Sequence, residues 1–252
     1  MKDRIAGAGI EPMVDPRLLQ DVLGEALATG GEFAEVFVED RRSTSALLDD
    51  GRIEEMASGR DRGAGIRVVV GETTGFAHTA DLSPTSLRAA SAAASAAARG
   101  GGGGVREVVL DRPSGPPSAV VEVLPSDVTK DRKVALLAEA NEAARARDGA
   151  ITQVTARYAD SQRRIQIANS DGLLTGDRQV RTLFSVSCVA SGDSGLQTDR
   201  ESVGHTVGFE LFDRVDVGDL ARRAAERALT KLDAVPAPSG EMPVVVGPGG
   251  GG

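Results

Sequence analysis

The chain of 252 residues is poor in the residue types that commonly build covalent or metal frameworks: it has one cysteine, two histidines, one tyrosine and no tryptophan. A single cysteine, Cys188, excludes an internal disulfide and is typical of a reducing compartment. No apolar stretch reaches membrane-spanning length, and the first residues lack the apolar region of a secretory signal. We therefore expect a cytoplasmic protein with no membrane partner.

The charge balance is acidic, with 37 Asp and Glu residues against 29 Lys and Arg residues and a formal net charge of -8. A protein that binds nucleic acid by neutralising phosphates needs an excess of basic side chains. Six phenylalanines and one tyrosine also supply few rings for stacking on single-stranded bases. We therefore expect no nucleic-acid partner.

Hydrophobic periodicity predicts an α+β fold built from two helix–antiparallel sheet–helix domains. Apolar residues recur at helical spacing from Asp15 to Gly30 and in two later segments, and an alanine- and serine-rich helix follows Ser83. Short turns such as Asp50-Gly51 join the predicted strands, which favours antiparallel pairing. No residue-level repeat between the halves is visible. The two later helices are predicted at residues 131–147 and 217–232. The strands are predicted at residues 33–39, 66–70, 151–158, 163–168, 180–190 and 203–212.

Composition also predicts the domain boundaries. Residues 1–14 form a flexible lead-in, 15–99 a first α+β domain, 100–118 a Gly/Pro-rich linker, 119–235 a central α+β domain, and 236–252 the start of a third domain. The apolar run Pro243–Val246 predicts a strand that enters a core, and a glycine loop follows it. We expect that the chain is cut at the threshold of its functional site.

The cysteine and the two histidines raise the question of a zinc site. Cys188 shares a strand face with Phe184 and Val186, and His205 also alternates with apolar residues, so the pattern predicts a buried thiol and a hydrogen-bonded core histidine. His78 lies far away in the other half. The short metalloprotease signature with two histidines one helical turn apart is absent from the sequence. We expect no metal ligands in this chain.

Two other kinds of site find equally little support. The glycine loop 247–252 follows a predicted strand, but it lacks the Lys-Ser/Thr ending of a phosphate-binding loop. A nucleophile elbow of the Gly-x-Ser-x-Gly type is also absent from the sequence. The residues by themselves identify no catalytic constellation.

Several separate segments nevertheless resemble the TldD/PmbA family. The segments are Asp50-Gly-Arg-Ile-Glu-Glu55, Arg62-Gly-Ala-Gly-Ile-Arg-Val68 and Gly75-Phe-Ala-His-Thr79 of its first domain, Gly195-Leu-Gln-Thr198, Arg200-Glu-Ser202 and 205–213 of the central domain in its TldD branch, and 236–249 at the opening of the third domain. They occur in the family's order from about residue 15 to the end of the chain, so the resemblance makes residues 236–252 the start of a truncated catalytic domain, cut off after its first strand.

This resemblance implies a zinc metallopeptidase, long linked by name to DNA gyrase, that hydrolyses peptides or unfolded segments. It also implies a homodimer or a heterodimer with a PmbA-type paralogue. In the family, a helix with His-Glu-x-x-x-His follows the glycine loop and a later cysteine completes the zinc site, so the resemblance places every ligand beyond Gly252. We therefore expect an inactive, non-catalytic portion, with Gly249 and Gly250 as substrate-binding candidates.

Two alternatives remain open at this stage. In the first alternative, the chain is part of a PmbA-like partner subunit that binds no metal and shapes a peptide-binding chamber. In the second alternative, it is a short protein that acts as a scaffold. The residues that follow Gly252 in the full gene product distinguish these interpretations.

Overall fold

The computed structural model describes residues 11–98, 105–111 and 120–245. Within these ranges the chain forms four α-helices and six β-strands. Each half has the same order: one helix, three strands and a second helix. The elements are α1 (Pro16–Ala26), β1 (Phe33–Asp49), β2 (Arg52–Val70), β3 (Thr73–Thr79), α2 (Pro84–Ala97), α3 (Lys130–Arg145), β4 (Ile151–Asn169), β5 (Leu174–Gly192), β6 (Gly195–His205) and α4 (Val217–Leu232), with short 3-10 helices at Pro125–Asp127 and Phe209–Asp213.

Local chemistry explains where these elements begin and turn. An oxygen-bearing side chain precedes each α-helix and accepts a hydrogen bond from a backbone N–H of the first turn, as Asp15 does from Arg17 and Asp216 from Asp219. The turn between β1 and β2 uses Asp50 and Gly51, which both have positive φ angles (48° and 81°). This two-residue turn matches the twist of the strands that it joins.

The six strands form one antiparallel sheet in the order β3-β2-β1-β4-β5-β6. The predicted α+β class is therefore confirmed. The prediction of a separate sheet in each half is wrong, because the strands of both halves belong to one sheet. The halves meet where β1 pairs with β4, in a ladder that runs from Glu35–Asn169 to Asp49–Thr155. The predicted domain boundary in the linker stays a prediction.

All four helices cover the same face of this sheet. Side chains alternate between the two faces of a strand, and the even-numbered residues of β1 point toward the helices. Val36 and Val38 belong to the core beneath α1 and α2, and Ala46 and Leu48 belong to the core beneath α3 and α4. The opposite face, which we call the open face, has no helix of the described residues on it.

The burial pattern of the first half recurs 120 positions later in the second half. Buried residues of β1 and β2 match buried residues of β4 and β5 at the same offset, although the residue types differ. The matched pairs include Val36/Ala156, Val38/Tyr158, Asp40/Asp160, Ala64/Phe184, Ile66/Val186 and Val68/Cys188. The structure thus reveals an internal repeat that the residue identities do not show.

Four of the predicted strands are corrected by the structure. The predicted strands 151–158 and 163–168 are one long strand, β4. The predicted strand 203–212 is wrong: β6 ends at His205, and the Glu210 carboxylate accepts the backbone N–H of Gly208, which helps to turn the chain into a 3-10 helix. The described part of the predicted strand 243–246 is not a strand, because no neighbouring strand pairs with it, and the side chain of Val245 is 96% exposed.

None of the helices in the described ranges is long and apolar enough to span a lipid bilayer.

Candidate functional site

The lone cysteine is a core residue, as its strand pattern predicts. Cys188 lies on β5 beneath α4 with no exposed surface, and its Sγ atom is 4.0 Å from the carbonyl oxygen of Ala221. Burial, with a further contribution from the negative charge of Asp199, raises the pKa of the thiol to about 11. The thiolate form that binds metals is therefore disfavoured at this position.

The two histidines lie apart on the sheet. His205 is at the end of β6 and is exposed, so the prediction of a hydrogen-bonded core histidine is wrong; β6 is an edge strand, and the alternation stops where it ends. His78 is on β3, at the opposite edge, and stacks against Phe76 with ring centroids 6.3 Å apart. Across residues 11–98, 105–111 and 120–245, no three residues of the metal-binding types are grouped closely enough to hold an ion. The residues that the structure describes do not fit a zinc site.

The candidate substrate-binding residues, Gly249 and Gly250, lie outside the described residues. Their role stays a prediction.

A buried polar cluster, which the sequence does not reveal, connects α3 to the sheet. The Lys133 ammonium lies 2.8 Å from Oδ2 of Asp160, and the Tyr158 hydroxyl donates to the same oxygen at 2.8 Å. Lys133 is also 5.2 Å from the centroid of the Tyr158 ring. Burial, the charge of Asp160 and this hydrogen bond all raise the pKa of Tyr158. Because no buried side-chain nitrogen or oxygen among the described residues lacks a hydrogen-bond partner, the cluster holds α3 in place rather than offering a reactive group.

The open face carries a depression of about 420 Å³ at its centre, which we call the central trough. Register places Arg181, Ser161, Ser43 and Gly59 in one row across four strands, and the next row also consists mainly of small residues. The short side chains make a floor with hydroxyl groups on it. The floor and walls are Arg41, Ser43, Thr44, Ser45, Ala57, Ser58, Gly59, Ala159, Asp160, Ser161, Arg181 and Leu183.

A second depression of about 340 Å³, which we call the edge pocket, lies near β3 on the same face. Its apolar walls come from Phe37 and Phe76, and glycines widen it: a Cβ atom at Gly65 would lie 3.0 Å from the Phe76 ring. The complete lining is Phe37, Glu39, Asp61, Arg62, Gly63, Ala64, Gly65, Phe76, His78, Thr79 and Ala80.

Ion pairs order the open face on either side of Phe37. Arg163 on β4 reaches Glu39 on β1 at 2.6 Å, and its guanidinium carbon is 5.9 Å from the centroid of the Phe37 ring. Arg67 makes a similar bridge of 3.4 Å to Glu35. These contacts cross neighbouring strands and leave a surface with apolar, hydroxyl and paired charged groups. Such a surface is suited to contacting a chain of mixed composition rather than to activating a bond.

Two sequence profiles of one family match this chain. The profile described as PmbA/TldA metallopeptidase domain 1 matches residues 34–98, and the profile described as PmbA/TldA metallopeptidase central domain matches residues 124–232. Each profile covers one of the repeats that meet at the β1–β4 ladder. The chain belongs to the TldD/PmbA family.

Relatives named metalloproteases support this assignment. A protein named "Metalloprotease" from Methanothermobacter thermautotrophicus is 33% identical over 222 residues, which cover 86% of this chain and 47% of that protein. A protein named "Metalloprotease TldD homolog" from Haemophilus influenzae is 30% identical over 229 residues, which cover 86% of this chain and 46% of that protein. The chain therefore spans about half the length of these curated relatives.

The fold also matches a solved structure. A Thermotoga maritima protein described as a candidate modulator of a DNA gyrase superposes with a TM-score of 0.71 at 17% identity, over 89% of this chain and 50% of that one. At this identity the likeness shows a shared fold.

Proposed function

We propose that this chain is the non-catalytic framework of a TldD-type zinc metallopeptidase that hydrolyses peptides or unfolded segments in the cytoplasm. In this proposal the zinc ligands come from a domain that follows the described residues, and the chain alone does not cleave peptides.

The observation that carries the proposal is the match of the first and central domain profiles, in the family's order, to a chain half as long as its metalloprotease relatives. The chemistry of the described residues agrees with this division of roles. Cys188 is a protonated core thiol, and the two histidines lie at opposite edges of the sheet. A zinc peptidase needs three clustered protein ligands and an open coordination position.

The framework's task in the proposal is to hold the substrate. The central trough and the edge pocket share one face, which has no helix over it among the described elements. A substrate chamber of this kind admits an extended chain and excludes folded domains. We propose a homodimer or a pair with a PmbA-type paralogue as the assembly that encloses it.

The test compares the 252-residue chain with the full-length gene product. Zinc is measured by elemental analysis, and cleavage is measured with a quenched fluorescent peptide, with and without a chelator. We expect stoichiometric zinc and chelator-sensitive cleavage in the longer protein only. Tightly bound stoichiometric zinc or cleavage in the 252-residue chain contradicts the proposal.

The same experiment separates the catalytic branch from a PmbA-like partner that binds no metal. Full-length protein that lacks both His-Glu-x-x-x-His and zinc, yet binds the peptide, identifies the partner subunit.

A further inference from the structure

The two edges of the sheet are equivalent in the internal repeat, yet they differ in how they are protected. Strand edges expose unpaired N–H and C=O groups, and proteins commonly block them with charged side chains or cover them with other elements. β6 and β3 are the edges of this sheet, and α4 and α2 are the helices that follow them. The β6 edge therefore serves as an internal reference for the β3 edge.

The β6 edge is blocked by α4. Lys231 donates to the carbonyl oxygen of Thr198 at 2.8 Å, and Arg227 donates to that of Arg200 at 2.9 Å. Lys231 and Arg227 also pair with the Asp199 carboxylate on the same strand. These side chains occupy backbone acceptors and place charges along the edge.

The β3 edge has none of these devices within the described part of the chain. Its sequence, Thr73-Thr-Gly-Phe-Ala-His-Thr79, contains no Lys, Arg, Asp, Glu or Pro, and its backbone pairs with β2 alone. The adjacent helix α2 carries one charged side chain, Arg88, which pairs instead with Asp21 and Glu25 of α1. The β3 edge is therefore uncharged and uncapped.

The edge pocket lies on the open face over β2, between Phe37 of β1 and Phe76 of β3, so Phe76 forms its outer wall beside the uncapped edge. Phe76 projects from β3 onto the open face with 61% of its surface exposed, and Phe37 and the glycine floor complete the depression. On the helix side, α2 packs directly against β3, because a Cβ atom at Gly75 would lie 1.9 Å from the carbonyl oxygen of Ala94. We therefore expect a large side chain of an added strand to lie on the open face, on the same side as Phe76.

We propose that the β3 edge binds an extended, uncharged peptide segment as a seventh strand, with one apolar side chain of the segment packed across the strands against the exposed Phe76. β3 itself offers no counter-ion to a charged segment, and the charged residues of the edge pocket, Glu39, Asp61 and Arg62, belong to β1 and β2. The backbone supplies affinity, and alternate side chains supply selectivity, as in other cases of strand addition. This inference rests on the proposed function and assigns its substrate class: unfolded segments of alternating apolar and small polar residues.

The test measures binding to the 252-residue chain by fluorescence anisotropy, so it needs neither metal nor cleavage. The probe is an acetylated and amidated heptapeptide, Thr-Val-Thr-Phe-Thr-Val-Thr, with a fluorophore at one end. We expect saturable binding that Phe76→Ala weakens about tenfold, which corresponds to 1.4 kcal/mol. Leu196→Ala is the matched control, because Leu196 is 68% exposed on the other edge strand, and it leaves the Kd unchanged.

Two N-methylated versions of the peptide test the backbone geometry. An added strand turns the N–H groups of alternate residues toward β3 and the others away. Methylation of one alternating set therefore abolishes binding, and methylation of the other set does not. Circular dichroism of Phe76→Ala confirms that the fold is intact.

The proposal is overturned by the absence of saturable binding, by equal losses in Phe76→Ala and Leu196→Ala, or by equal binding of the two methylated peptides. A chain dimer that Phe76→Ala dissociates, with no peptide binding, also overturns it and assigns the edge to a second copy. Failure of this test leaves the zinc and cleavage test of the proposed function standing.

Discussion

Asp40 and Asp160 occupy equivalent positions in the two repeats, but they bind different cations in different surroundings. Asp40 accepts hydrogen bonds of 2.9 and 2.6 Å from Arg60, whose side chain is 47% exposed. Hydrogen bonding and charge from Arg60 lower the pKa of Asp40 despite its partial burial. Asp160 instead contacts Lys133, which is only 4% exposed. The equivalent carboxylates therefore form a partly solvent-screened ion pair in the first repeat and a desolvated ion pair in the second.

Replacing Lys133 with methionine leaves the Asp160 carboxylate buried with only the Tyr158 hydroxyl as a partner. We expect a loss of about 3–5 kcal/mol in the free energy of unfolding, measured with urea. Arg60→Met is the matched control and costs much less, because water can solvate Asp40 through the exposed side of the pair. Equal losses in the two variants would show that burial does not set the cost.

The Cys188 thiol should be unreactive in the folded protein. Its lack of exposed surface and its raised pKa both keep it from attacking thiol reagents. With Ellman's reagent at pH 8, we expect almost no colour from the native chain and one equivalent of thiol after denaturation. A fast native reaction would mean that α4 leaves the sheet readily, and hydrogen exchange on α4 provides the independent check.

Glu210 should make stability depend on acid pH. Burial favours its neutral form, but hydrogen bonds from the backbone N–H groups of Val123 (3.0 Å) and Gly208 (2.9 Å) outweigh this and lower its pKa. A lowered native pKa gives stability that is complete above the unfolded value of about 4.3 and is lost as pH falls through the native pKa.

Glu210→Gln should therefore lower the free energy of unfolding by about 1–3 kcal/mol at pH 7. The difference from the parent protein should shrink between about pH 5 and the native pKa below it. Unfolding in urea at several pH values measures this, with the exposed Glu54→Gln as the control. A difference that is constant with pH would assign the effect to packing alone.

Gly75 should be intolerant of even one added carbon atom. A Cβ atom there would lie 1.9 Å from the Ala94 carbonyl oxygen and 2.5 Å from the Ala98 nitrogen, so α2 and β3 would have to separate. We expect Gly75→Ala to lower the free energy of unfolding by about 1–3 kcal/mol. Gly149→Ala, where no atom lies within 4 Å of the added carbon, is the control and should not be destabilising. Equal thermal stability of the two variants would show that α2 adjusts freely.

The helices and hairpin turns were predictable because their signals are local. Asp15, Ser83 and the Asp50-Gly51 pair mark a helix start or a turn within a few residues, and the structure places all of them as predicted. The long strands were shortened in prediction because β1 and β4 carry polar residues at their centres. Asp40 and Asp160 lie there, and each pairs with a cationic side chain, Arg60 or Lys133.

The parts of the candidate site that were missed depend on contacts between distant residues. The trough combines Ser43 and Ser161, and the buried cluster joins Lys133 to Asp160, in each case across sequence separations that no local pattern encodes. His205 was misread for a related reason, since alternation does not reveal that a strand is at an edge. The pairing of strands can be recognised only when the sheet order is known.

The ladder between β1 and β4 has a mechanical consequence. The two structurally equivalent halves meet in the middle of the sheet, where the paired residues run from Glu35–Asn169 to Asp49–Thr155. Cleavage of the backbone between α2 and α3 would therefore not separate the two halves, because the β1–β4 ladder would keep them associated. The two fragments could also be produced separately and combined to restore the fold. The long ladder between β1 and β4 would thus hold the two halves together even without a covalent connection.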